Sequence, residues 1–151
     1  MTQKEANALR DLQTQEQSCI EKYTRYSKEA NDTVLRDLFI ELAQEEQKHY
    51  ESLTDVLSGH CPLNVDCNDN KGRHYQPKAT YTSGDNSVAK QTDCFLATDC
   101  IGSEKLVSSE YNSDVFIFGD TNIRKLLADI QIEEQNHAEM LWRYKTVNGM
   151  N

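Results

Sequence analysis

Apolar residues recur along this chain at intervals of three and four, the spacing that gathers side chains on one face of a helix. Leu9, Leu12, Glu16, Cys19 and Tyr23 form a first stripe, and Leu35, Leu38, Leu42, Glu46, His49, Leu53 and Val56 a second. Ala97, Cys100, Glu104, Val107 and Tyr111 form a third, and Ile123, Leu126, Ile130, Glu134, His137 and Leu141 a fourth. Asn31-Asp32-Thr33 and Gly119-Asp120-Thr121 break the periodicity and supply Asp or Thr to cap the helix that follows. Gly59 and Gly149 suit the ends of the second and fourth helices. The pattern predicts an all-α fold of two helical hairpins, over about residues 3–58 and 90–148, in a single domain covering 1–151.

The second hairpin repeats the first at an offset of 88: Asp32 to His49 lies over Asp120 to His137, with eight of eighteen pairs identical. Unrelated segments would share roughly one by composition. Between the hairpins, residues 59–89 show no helical period and many turn formers. A loop of this length calls for a reason. A 25-residue helix is ~38 Å long, and this stretch can span ~90 Å when extended. It can therefore run the length of a bundle and start the third helix from the far end.

The formal net charge of −9 disfavours nucleic acid and an anionic membrane as partners. No apolar run approaches the ~20 residues of a spanning helix, and MTQKEANALRDL lacks the apolar core of a signal peptide. A cytoplasmic location, or a compartment derived from it, is the expectation. The five cysteines, Cys19, Cys61, Cys67, Cys94 and Cys100, are an odd count without a C-x-x-C pair, which favours free thiols. Cys19 and Cys100 read as small core residues. His60, Cys61, Cys67 and His74 are irregularly spaced, so a second metal site there is the weaker of two readings.

The chemistry lies in six polar residues on stripes that should be core: Glu16, Glu46, His49, Glu104, Glu134 and His137. For any one glutamate a solvated helix face is the competing reading, because Glu is almost never fully buried unpaired. The set argues otherwise. Glu46-Gln47-Lys48-His49 and Glu134-Gln135-Asn136-His137 each place a carboxylate and an imidazole one turn apart, and each follows a stripe glutamate by thirty residues. One Glu from each of two helices plus a Glu-x-x-His from each of the other two is the ligand set of di-iron and di-manganese carboxylate bundles. Two divalent cations would balance four carboxylates. Carboxylate and imidazole suit iron or manganese, with zinc also compatible.

Residues 8–57 and 92–147 resemble the ferritin-like superfamily, with the spacing of rubrerythrins and bacterioferritins. Gln15-Glu16 with Tyr23, Gln44 to His49, Ser103-Glu104-Lys105, Ser109-Glu110-Tyr111-Asn112 and Asn148-Gly149-Met150 are similar to coat F-type spore coat proteins. The resemblance implies a ferritin-like four-helix bundle in which Glu46 and Glu134 bridge two metals. Glu16 and Glu104 would be terminal ligands, and His49 and His137 would bind one metal each. It also implies that Glu45 and Glu133 hydrogen-bond the opposite histidine, although an exposed helix surface is an equal reading for them. Tyr23 and Tyr111, two turns from Glu16 and Glu104, would either orient ligands or pack in the core. Neither a rubredoxin module nor a ferritin's fifth helix is recognisable.

Three functions remain open: a di-metal oxidoreductase acting on dioxygen or peroxide with an unidentified reductant, a metal-stapled structural coat component, and an iron-handling protein. A homodimer or a coat assembly suits any of them. An oxidant would approach on the side of Glu16 and Glu104, opposite the histidines.

Overall fold

The computed structural model describes residues 1–63 and 70–151. Four long helices dominate: α1 (Gln3–Glu29), α2 (Thr33–Leu57), α4 (Val88–Asp114) and α5 (Thr121–Val147). A short α3 (Lys71–His74) precedes α4, and a 3-10 turn, Val115–Ile117, follows it. Among the described residues there is no strand, and no helix is long and apolar enough to cross a membrane.

Each long helix starts where a side chain satisfies free N–H groups of its first turn. Thr2 and Glu5 form a reciprocal capping box on α1, at 3.2 Å and 2.7 Å. Asp32 accepts from Val34 N at 3.0 Å, Ser87 from Lys90 N at 3.2 Å, and Asp120 from Asn122 N at 2.7 Å. α2 and α5 stop at glycines in the left-handed region, Gly59 at φ 95° and Gly149 at φ 63°, a conformation a Cβ would strain.

α1 packs along α2 and α4 along α5, with α1 against α4 and α2 against α5 joining the two hairpins. The apolar core falls into two layers. One holds Tyr23, Phe39, Leu42, Leu96, Leu141 and Tyr144; the other holds Leu9, Leu12, Leu53, Val107, Leu127 and Ile130. On every long helix the polar stripe residues lie in sequence between the two layers, so the six of them form a buried polar layer within the core.

The repeat also governs the hairpin turns. Asp93 on α4 accepts from Asn31 N and Asp32 N, at 2.8 Å and 2.9 Å, tying down the α1–α2 turn. Its repeat counterpart Glu5 accepts from Gly119 N at 3.0 Å in the α4–α5 turn. Arg36 and Arg124, also counterparts, donate to the carbonyls of Ala30 and Phe118 at 2.6 Å and 3.0 Å. Each hairpin is therefore stapled by the helix that opens the other.

The described part of the crossover that precedes α4 docks on the long helices. α3 seats on α5, where Gly72 N donates to Asn136 Oδ1 at 3.0 Å, and a Cβ on Gly72 would come within 2.5 Å of Glu139 Oε2. Further along, Thr80 N and Tyr81 N donate to Asn148 Oδ1 at 2.9 Å and 3.0 Å, and Tyr81 Oη donates to Asp93 at 2.6 Å. These contacts fasten the crossover to the end of the molecule where α4 begins.

Candidate metal centre

Helical spacing sets the geometry of the polar layer: Glu46 and His49 are one turn apart on α2, Glu134 and His137 one turn apart on α5, and both pairs point inward. Glu16, Glu46, Glu104 and Glu134 are at most 1% exposed, and the two histidines at most 3%. Two overlapping groups bring their donor atoms within 4.8 Å of one another: Glu16, Glu46, His49 and Glu134 in one, and Glu46, Glu104, Glu134 and His137 in the other. Glu46 and Glu134 belong to both.

The imidazoles stack with ring centroids 5.7 Å apart and planes 15° from parallel, each turning Nδ1 toward the carboxylates. His49 Nδ1 lies 3.0 Å from Glu46, 2.9 Å from Glu134 and 3.7 Å from Glu16. His137 Nδ1 lies 3.0 Å from Glu46, 3.5 Å from Glu104 and 3.6 Å from Glu134. The 2.9 Å approach of His49 to Glu134 lacks hydrogen-bond alignment, and both Glu134 oxygens have no hydrogen-bond partner.

Each tyrosine reaches the opposite hairpin. Tyr23 donates to Glu104 Oε1 and Tyr111 to Glu16 Oε1, not to the glutamates of their own helices. One oxygen of each carboxylate is thereby held, while Oε2 of Glu16 and of Glu104 is buried without a partner. Four carboxylate oxygens stand unpaired in the core, where an unpaired polar atom costs about 1–3 kcal/mol and more when charged.

Burial drives the protonation of the layer. It pushes Glu16 and Glu104 well above the ordinary carboxylate value, reinforced by the neighbouring acids. Glu46 meets the same burial, but the charges of His137 and His49 outweigh it and hold Glu46 well below that value. For Glu134, burial and Glu46 push upward, and the Glu104 carboxyl and His49 more than reverse them. Burial would lower both histidines; the carboxylates overcome it and raise them well above 6.5. Two divalent cations would balance the four carboxylates, so the donor set fits a metal pair.

The outer residues break the repeat's symmetry. His49 Nε2 donates to Glu133, which fixes the ring with Nδ1 facing inward. Glu45, the counterpart of Glu133, instead meets Lys48 at 2.8 Å and Lys71 of the crossover at 3.2 Å. The sequence offered no sign of this, because α3 is too short to carry a period. Cys19 and Cys100 are buried, and their thiols, with those of Cys61 and Cys94, are free. Cys67 lies outside the described residues, and so does any site it would complete with His60, Cys61 and His74. Among the described residues the candidate metal groups are the two of the core.

Fold and site together define an all-helical protein with a buried carboxylate–histidine cluster. Residues 92–150, which comprise most of α4 and all of α5, match the family model of the coat F domain. No curated protein and no solved structure matches this chain.

Proposed function

We propose that this chain is a ferritin-like four-helix bundle of the coat F type that holds two divalent cations, iron or manganese, and reacts there with dioxygen or peroxide. The observation that carries the reading is the set of four unpaired carboxylate oxygens beside two inward-facing imidazoles. Apolar packing alone gives no reason to retain four buried glutamates; cations do.

In this reading Glu46 and Glu134, common to both groups, would hold both cations. Glu16 and His49 would also hold one of them, and Glu104 and His137 the other. When bound, iron or manganese supplies the electrons for reducing a small oxidant. Glu133 holds the His49 ring, Tyr111 and Tyr23 hold one oxygen of Glu16 and Glu104, and the apolar layers on either side exclude water.

The match of residues 92–150 to the coat F domain supports a second reading, a spore coat component in which the cations chiefly staple the helices. Elemental analysis tests the metal centre common to both. Glu46→Ala and Glu134→Ala are expected to lose most bound metal, whereas Glu51→Ala, on the exposed face of α2, keeps it. Equal metal content in all three would reject the site.

A further inference from the structure

The two hairpins, alike in their glutamates and histidines, differ in the residues above them. Between α4 and α5 runs an open groove of about 360 Å³ whose lining includes Glu104 and Glu134 together with Lys105, Ser108 and Ala138. Its counterpart between α1 and α2 is larger, about 470 Å³, and is lined by Arg10, Gln13, Thr14, Gln17 and Tyr50 among others. Neither Glu16 nor Glu46 reaches that second groove. The 88-residue offset explains the difference: Ser108 stands where the first hairpin has Ile20, and Ala138 where it has Tyr50. Two bulky side chains of the first hairpin are thus replaced by two small ones in the second. Glu104 and Glu134, which border the α4–α5 groove, also carry buried unpaired oxygens, Oε2 of Glu104 and both oxygens of Glu134.

We propose that the α4–α5 groove is the entry by which a small ligand reaches the metal pair, and that Ser108 and Ala138 keep it open. This rests on the two-metal reading. It makes the two positions inequivalent: the one that Glu104 and His137 would hold lies on the groove side, and the one that Glu16 and His49 would hold does not. Lys105 at the mouth, where the other hairpin has Gln17, favours an anion or a polarised neutral molecule such as peroxide. The sequence placed the approach equally near Glu16 and Glu104; of the two grooves, only the α4–α5 one is bordered by these glutamates.

Azide is a suitable probe, because its binding to the ferric-loaded protein is read directly from charge-transfer absorbance and requires no turnover. Ala138→Tyr, which copies the first hairpin, is expected to keep the wild-type iron content and slow azide binding by about tenfold or more. Thr14→Tyr, which fills the larger α1–α2 groove, is expected to leave the rate unchanged. Should Ala138→Tyr fail to fold, Ser108→Ile carries the same expectation. A closed-groove variant that holds its iron and binds azide at the wild-type rate overturns the proposal, as does equal slowing by Thr14→Tyr. A wild-type protein that takes up no iron overturns instead the metal reading beneath it.

Discussion

The hydroxyl of Tyr111 on α4 donates to Oε1 of Glu16 on α1, 95 residues away in the chain. Tyr23 on α1 mirrors it by donating to Glu104 on α4. Because each tyrosine serves the carboxylate of the other hairpin, docking of the hairpins and alignment of the ligands are one event. Tyr111→Phe leaves the buried Glu16 with neither oxygen hydrogen-bonded, which should cost about 1–3 kcal/mol in the metal-free protein. Added metal should recover part of this, since a cation satisfies the carboxylate by another route. Thermal melts of Tyr111→Phe with and without manganese check both expectations.

The protonation of the layer predicts an unusual pH dependence. A group whose folded value is raised adds stability that is complete below its unfolded value and is lost as pH climbs through the folded value. His49 and His137 are raised well above 6.5, so the metal-free protein should weaken as pH rises from about 6.5. Glu16 and Glu104, also raised, act in the same direction. The loaded protein should not follow this trend, because cations bind more tightly as the ligands lose protons. Chelated and manganese-loaded samples melted between about pH 6 and pH 9 should therefore diverge. Parallel curves would contradict the assignment.

Asp93 is fully buried and accepts from Asn31 N, Asp32 N and Tyr81 Oη. Asp93→Ala strands two backbone donors at the α1–α2 turn and releases the crossover, for an expected loss of about 3 kcal/mol. Glu5→Ala removes the corresponding staple at the exposed α4–α5 turn and should cost much less. Urea denaturation of the two variants compares them directly.

Long-period features of the fold were legible in the sequence. Stripes at intervals of three and four located the helices, and the offset of 88 confirmed their phase by setting Glu46 over Glu134 and His49 over His137. Asp32 and Asp120 marked the helix starts because a cap is a local device. What the sequence withheld depends on which surfaces meet. The crossed Tyr–Glu bonds follow from the facing of one hairpin on the other. The capture of Glu45 by Lys71 follows from where an aperiodic crossover docks. The difference between the two grooves was encoded in the pairs Ile20/Ser108 and Tyr50/Ala138, but it acquires meaning only once Ser108 and Ala138 are seen to line a groove beside Glu104 and Glu134.

Reaction with an oxidant separates the enzyme from the staple. A groove bordered by Glu104 and Glu134, read as the entry to the metal pair, predicts that the ferrous-loaded protein is oxidised by peroxide faster than free ferrous ion, or that the manganese-loaded protein disproportionates peroxide. Stopped-flow absorbance on anaerobically loaded protein shows either. If both forms are inert while Glu46→Ala destabilises the loaded protein, the structural coat reading stands.

Anomalous diffraction from crystals of the metal-loaded protein, collected at the iron and manganese edges, tests the metal pair most directly. The account predicts two peaks about 3.5–4 Å apart, one beside Glu16 and His49 and the other beside Glu104 and His137, with Glu46 and Glu134 spanning both. Carboxylates and imidazoles bonded only to one another, with no anomalous density among them at saturating metal, would contradict it.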